Sequence, residues 1–290
     1  MNPLKHPATR EISSVLKYAY ETLSVTGESV RLEADLLLAH CLDVDRSFLY
    51  VNESEKLSTS LINKFIQLLQ DRAIGKPIAY LVGKKEFWSL EFLVDESVLI
   101  PRPESELLVE IALEKLRVSP SYLILELGIG SGAVSAALAS ERPELKIIGS
   151  DIRDGTLRTA QKNLNRLLIE NVYLMRGDWL SAIKTQSVDM IISNPPYISF
   201  LEKSLQKELS FEPEVSLFAK NQGLADIQNI VFEGFKRLKI KGHLIIEHGS
   251  KQGKTVRDFF EDAGFSGIQS YCDLNGCCRV TFGFKNRLVK

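Results

Sequence analysis

Leu123-Ile124-Leu125-Glu126-Leu127-Gly128-Ile129-Gly130-Ser131-Gly132-Ala133 decides the fold. Its first five residues form a short, mostly apolar run, which reads as a buried strand. Glycines then stand at alternate positions, and Ala133 to Ala139 begins a helix. Glycine permits the tight turn between the two and lets the backbone approach a ligand closely. Further strands are expected at Lys146 to Gly149, Val172 to Met175, Val188 to Ile192 and His243 to Ile246. Two last strands are expected near Gly267 to Tyr271 and Arg279 to Phe284, with helices at Leu224 to Leu238 and Thr255 to Ala263. Strands alternating with helices predict a doubly wound, Rossmann-like α/β sheet.

In such a sheet chemistry belongs at the carboxyl ends of the strands, so those ends are where candidate residues are sought. The second strand ends in Ser150-Asp151, roughly 20 residues after the glycine turn, where an acid can accept both hydroxyls of a ribose. The third is followed by Gly177-Asp178-Trp179. A carboxylate beside an indole can bind an adenine amine and stack on its ring. The fourth leads into Asn194-Pro195-Pro196-Tyr197. The prolines have fixed φ and no N–H, and each residue before a proline is pushed out of the helical region. The corner is therefore stiff and extended, a row of acceptors beside an amide and an aromatic ring. It suits a planar group carrying N–H donors, an amide or an exocyclic amine; taken alone, it is also compatible with a plain turn. The irregular stretch that runs on to Gly223 contains Phe211-Glu212-Pro213, and its length suggests a lid or substrate loop.

Residues 1–74 are expected to form a small all-helical domain. Ile12, Val15, Leu16, Ala19 and Leu23 share one helical face, and Gly27 breaks that run. Val30 to Leu42 and Arg46 to Val51 follow, and Ser58 is placed to cap a longer helix. No catalytic cluster is visible there. Gly75-Lys76-Pro77 marks the boundary, and residues 75–103 read as a β-hairpin linker with Ser89-Leu90 at its turn. Residues 104–290 form the α/β domain. Within the linker Arg102 is held between Pro101 and Pro103. It is either a ligand contact or a helix-entry residue paired with Glu104.

The 290 residues comprise 44% hydrophobic and 25% charged residues, ordinary for a soluble globular protein. With 36 basic against 37 acidic residues the net charge is −1, which gives no electrostatic footprint for nucleic acid. No apolar stretch has the length of a membrane span, and Met1 to Arg10 lacks a signal-peptide core. A cytoplasmic protein is expected, and a monomer. Cys41, Cys272, Cys277 and Cys278 lack zinc-ligand spacing, so no metal is expected and the thiols are expected to be reduced.

Gly128, Gly130 and Ala133 also fit a loose dinucleotide fingerprint, which leaves a nicotinamide-dependent dehydrogenase and an S-adenosylmethionine-dependent methyltransferase open. A dehydrogenase needs a proton donor or acceptor near its substrate. No His or Lys follows the fourth strand, and Tyr197 is the one residue there that could serve. Methyl transfer to a planar nitrogen gives the acceptor corner a use. Carbonyls at Asn194 and Pro195 would orient the nitrogen and stabilise the charge that grows on it.

Taken together and in order, Ile100-Pro101-Arg102-Pro103-Glu104, Gly128 to Gly132, Gly177-Asp178-Trp179, Asn194 to Ile198, Phe211-Glu212-Pro213 and Asp273-Leu274-Asn275-Gly276 resemble the release factor glutamine methyltransferase (HemK/PrmC) family of bacteria. The resemblance runs from the N-terminal helices to the last strand. It implies a helical N-terminal domain, a hairpin linker and a seven-stranded methyltransferase domain. It implies transfer from S-adenosylmethionine to the glutamine amide in the Gly-Gly-Gln loop of peptide-chain release factors. Carried over by position, Gly128, Ile129, Gly130, Ser131, Gly132, Asp151, Asp178, Trp179 and Asn194 would contact the cofactor, with Arg102 lining its pocket from the linker. Asn194, Pro195, Pro196 and Tyr197 would hold the glutamine, Tyr197 packing on its side chain, and the helical domain would help dock the release factor.

Departures from the family pattern are Ile129 in place of a small polar residue, Cys277-Cys278 in place of a more polar pair, and Ser105 where Thr is common. The Ile129 side chain is expected to point away from the ligand. Rival readings are a DNA adenine amino-methyltransferase, which uses the same corner on a flipped base, a ribosomal-protein glutamine methyltransferase, and a catalytically idle binding module.

Overall fold

The computed structural model describes residues 7–24, 29–116, 122–205 and 208–286. Gly27, used above as a helix break, lies outside them. The chain forms two compact units, Met1–Gly83 and Lys84–Lys290.

The first unit is helical. It contains α1 (Ile12–Leu23), α2 (Val30–Leu42), α3 (Arg46–Val51), α4 (Thr59–Ala73) and α5 (Ile78–Val82). Ile12, Val15, Leu16, Ala19 and Leu23 are all buried, as their spacing predicts, together with Leu37, Leu38, Leu49, Phe65 and Leu69. The Ser58 hydroxyl caps α4 by accepting the Leu61 N–H at 3.3 Å. The buried charged groups among its described residues, Asp35 and Arg72, are paired. Arg72 grips both carboxylate oxygens of Glu33 at 2.8 Å, and the buried Asp35 accepts from the hydroxyls of Tyr20 and Tyr50. The unit ends later than the Gly75-Lys76-Pro77 break suggests. Pro77 is the N-cap of one more turn, α5, whose Leu81 joins the helical core.

The second unit opens with the hairpin β1 (Lys84–Phe87) and β2 (Leu90–Leu93). Its turn is Trp88-Ser89, one residue earlier than expected, with both residues at positive φ (53° and 57°). That is the backbone a two-residue hairpin needs. Glu86 and Glu106 stabilise it by accepting the Ser89 and Trp88 N–H groups. After α6 (Glu106–Lys115) come β3 (Leu123–Leu127), α7 (Ala133–Glu141), β4 (Lys146–Asp151), α8 (Asp154–Arg166), β5 (Val172–Arg176) and β6 (Val188–Ser193). Two short strands, β7 (Ile198–Ser199) and β8 (Phe218–Ala219), pair with each other. The chain closes with α9 (Ala225–Arg237), β9 (Leu238–Glu247), α10 (Gly253–Ala263), β10 (Ser266–Cys272) and β11 (Cys278–Phe284).

The seven-stranded sheet has the order β10-β11-β9-β6-β3-β4-β5. β3, β4, β5, β6 and β9 run parallel, while β11 runs antiparallel to β9 and to β10. Core packs on both faces. One layer gathers α6, α7 and the hairpin residues Phe87 and Phe92; the other gathers α9 and α10 through Ile227, Ile230, Val231, Val256 and Phe260. Burial on both faces is why β6 reads as one unbroken apolar run at its end. Asn163 of α8 ties the hairpin to the glycine turn. Its amide exchanges hydrogen bonds with the Leu93 backbone and donates to the Ser131 carbonyl at 2.9 Å.

The expectation of reduced thiols is corrected at one pair. Cys272 and Cys278 are register partners across β10 and β11 and form a disulfide, whereas Cys41 and Cys277 are free. No helix among the described residues is long and apolar enough to cross a membrane, and no group of three or more His, Cys, Asp or Glu among them could hold a metal ion.

Candidate active site

β3, β4, β5 and β6 all deliver their carboxyl ends to one cavity. Its walls include Gly128, Asp151, Asp178, Trp179, Asn194 and Pro196, six of the residues singled out in the sequence. Leu99, Ile152, Val215 and Phe218 add apolar surface.

Four elements set the geometry. In the glycine turn the Gly128 and Ile129 N–H groups both donate to the Ser150 carbonyl at 2.9 Å, so the turn is fastened to the end of β4. Gly128, Gly130 and Gly132 all have positive φ (71°, 57° and 86°), a backbone that L side chains rarely adopt. Asp151 accepts the Arg153 N–H at 3.0 Å and the Gly130 N–H at 3.5 Å. Burial raises its carboxyl above the usual range, and those donors oppose the rise. Trp179 also sits at positive φ (45°). Its indole N–H donates to Asp226 at 3.1 Å, and a Cβ on Gly128 would lie 3.7 Å from its ring. The indole is thus held against the glycine turn.

The Asn194 corner begins where the ladders of β6 end, at Ser193 opposite Leu127 and Ile246. Its carbonyls therefore project beyond the sheet. The Asn194 amide nitrogen donates to the Ser105 hydroxyl at 3.0 Å. Ser105 donates to Glu247 at 2.7 Å, and the Tyr197 hydroxyl donates to the other oxygen of the same carboxylate at 3.3 Å. Burial, with the Glu247 charge beside it, pushes the Tyr197 phenol far up, so it keeps its proton. Behind the corner, Gln252 donates to the Tyr197 carbonyl at 3.0 Å and to the Gln222 carbonyl at 3.2 Å.

Other sequence-predicted residues lie off the cavity wall. Ile129 is buried, and its side chain lies over Gly149 of β4, where an added Cβ would come within 2.0 Å of its Cδ1. The side chain thus points away from the cavity, as expected, because the space above a glycine strand position accepts a branched side chain. Gly130, Ser131, Gly132, Pro195 and Tyr197 shape the turn or the corner without lining the cavity. Arg102 does not line it either, and its partner is not Glu104. It is ion-paired with the buried Glu212 of Phe211-Glu212-Pro213, which also accepts the Ile100 N–H at 3.1 Å. Leu99 is the residue of this segment that reaches the wall. Sequence reasoning missed the functions of Ser105, Glu212, Asp226 and Glu247. Glu212 alone carried a local signal, as an acid between Phe211 and Pro213 in a long loop.

The chain matches two family models, the PrmC N-terminal domain at residues 14–83 and the methyltransferase small domain at residues 104–210. A solved methyltransferase from Pyrococcus furiosus shares the fold, with a TM-score of 0.52, 20% identity and coverage of 78% of this chain and 99% of that one. A release factor glutamine methyltransferase of Buchnera aphidicola subsp. Baizongia pistaciae is 42% identical over 95% of this chain and 99% of its own length. That of Escherichia coli K12 is 40% identical over 89% and 93%, and that of Shewanella oneidensis 37% identical over 94% and 95%. Similarity of that depth along nearly the whole length shows that the chain belongs to the family of release factor glutamine methyltransferases.

Proposed function

We propose that this protein transfers a methyl group from S-adenosylmethionine to the side-chain amide of the glutamine in the Gly-Gly-Gln loop of a peptide-chain release factor. The observation that carries the reading is the shared cavity, where the acceptor corner at Asn194 opens beside Asp151 and Trp179. The residues fit the cofactor. Asp151 offers a carboxylate for vicinal hydroxyls, with its other contacts to backbone N–H, and the indole of Trp179 with Leu99 and Ile152 offers apolar walls for a purine. Bound there, S-adenosylmethionine supplies an electrophilic methyl on a sulfonium.

The chain's own part is orientation. Asn194 has its amide nitrogen engaged by Ser105, so its carbonyl oxygen is left to accept from the substrate amide, alongside the Pro195 carbonyl. Two acceptors on one –NH2 fix the nitrogen and stabilise the positive charge that develops there. No base stands at the corner, since the Tyr197 phenol keeps its proton. The methylated amide nitrogen then loses a proton readily to solvent.

The helical unit, Met1–Gly83, serves to dock the release factor, and Lys84–Lys290, which opens with the hairpin, carries the transfer. A net charge of −1 supports a protein acceptor over DNA. We read the enzyme as a cytoplasmic monomer. Labelled S-adenosylmethionine should mark a release factor, but neither the same factor with its loop glutamine changed to alanine nor duplex DNA. Label on the DNA, or equal label on both factors, would sink the reading. Asn194→Ala should abolish transfer with cofactor binding retained. Asp151→Ala should weaken cofactor affinity roughly 10- to 100-fold, the worth of a charge-assisted hydrogen bond.

A further inference from the structure

We propose that Glu247 is a positioning residue that, through Ser105, dictates which end of the Asn194 amide faces the substrate, while pinning the far end of the corner through Tyr197. The proposal rests on the methyl-transfer reading above.

Glu247 is the last residue of β9. β9 pairs in parallel with β6, and their ladder ends at Ser193 opposite Ile246. The next residue on each strand is therefore Asn194 and Glu247, which places the carboxylate beside the start of the corner. Glu247 is only 1% exposed and is absent from the cavity wall, so it acts at one remove. Ser105, buried at the entry to α6, lies between it and Asn194. The second carboxylate oxygen takes the Tyr197 hydroxyl. A single buried group thus holds both Asn194 and Tyr197.

The polarity of this chain of hydrogen bonds follows from proton counting. Burial holds the Glu247 carboxyl up to about 7, so the direction is fixed above that pH, where the ionised carboxylate can only accept. Ser105 must therefore give its one hydroxyl proton to Glu247, at 2.7 Å. Its oxygen then has lone pairs alone to offer Asn194, and the partner it takes is the amide –NH2, at 3.0 Å. The Asn194 carbonyl oxygen is left for the substrate. Without the carboxylate the order is free to reverse. A Gln at 247 can donate to Ser105, which turns its proton onto the Asn194 oxygen and leaves –NH2 aimed at the substrate –NH2. Two donors then oppose each other, and the clamp becomes a repulsion.

Glu247→Gln keeps size and shape and removes only this direction. At saturating cofactor and about pH 8, where the carboxylate is ionised, it should lower kcat by about 100-fold, as expected when a reacting group is misoriented. Cofactor Kd should stay near wild type, and the thermal midpoint should not fall, since a neutral Gln removes the cost of burying a charge. Ser105→Ala should lower kcat comparably, and Ser105→Thr, which keeps the hydroxyl, should restore most of it. The double variant Glu247→Gln/Ser105→Ala should be no slower than the slower single one, because both break the same chain. The orientation is also readable without substrate. The Asn194 side-chain amide protons should show a nuclear Overhauser contact to the Ser105 methylene in wild type that is lost in Glu247→Gln. Unchanged kcat in Glu247→Gln, a loss traced to cofactor affinity or unfolding, or multiplying effects in the double variant would overturn the proposal. Failure of the wild-type enzyme to label any release factor would instead sink the methyl-transfer reading, while the amide contact would still report on Glu247.

Discussion

Glu126 sits in β3, an inner strand of the sheet, two residues before the glycine turn, and accepts from the backbone N–H and the hydroxyl of Ser135. Burial pushes its carboxyl up to about 8 from 4.5. Glu247 is pushed the same way, to about 7. Both pKa values are raised on folding, so between about pH 4.5 and pH 8 the folded chain binds more protons than the unfolded one. Their contribution is complete below the unfolded value and is lost as pH rises through the folded one. Urea unfolding should show stability falling by a few kcal/mol across that window, and Glu126→Gln should remove the larger share of the slope. A slope unchanged in that variant would place the linkage elsewhere. Residues such as Asp151, Trp179 and Asn194 were legible beforehand because each follows a recognisable strand at a fixed offset. Glu247 and Ser105 were not, because their meaning depends on β9 lying beside β6 and on α6 entering next to both, a register that no local pattern records.

At the scale of elements, the corner is braced by a second turn. Asn221, Gln222 and Gly223 are consecutively left-handed (φ 58°, 57° and 83°), and Gly223 passes directly under Tyr197. A Cβ there would lie 2.0 Å from the Tyr197 carbonyl oxygen and 2.9 Å from the Gln252 amide nitrogen. Gly223→Ala should therefore displace the corner, lowering kcat together with thermal stability, the latter by about 1–3 kcal/mol. Equal activity and an equal melting point would show that the corner is held by other means. Strands and helices were readable as elements because their apolar periodicities differ. The hairpin turn was misplaced by a residue because Trp88-Ser89 lacks the Asn or Gly that usually marks positive φ. The parallel sheet read from alternation carries an antiparallel edge because nothing but a turn, Asp273 to Cys277, separates β10 from β11.

Across the whole molecule, each unit has a core of its own. Leu37, fully buried in α2, belongs to the helical one. Leu37→Ala should destabilise that unit by about 2–5 kcal/mol, while cofactor affinity, whose residues all lie beyond Lys84, should not change. Calorimetry and cofactor titration on the same variant check both halves, and a parallel loss of affinity would contradict the separation. The division was read too early in the sequence because Gly75-Lys76-Pro77 looks like an ending. Pro77 in fact starts a helical turn, as its fixed φ and missing N–H allow.

Ile129 in the glycine turn and Gly149 in β4 share one volume, the side chain of one filling what the other lacks. The glycine turn is therefore shaped from below as well as by its own glycines. Any side chain at 149 must be matched by a shorter one at 129, so the two positions admit change together: Gly149→Ala would be tolerated alongside Ile129→Ala far better than alone. The floor of a nucleotide pocket thereby becomes a two-residue unit of variation, adjustable in size without touching a single residue that meets the ligand.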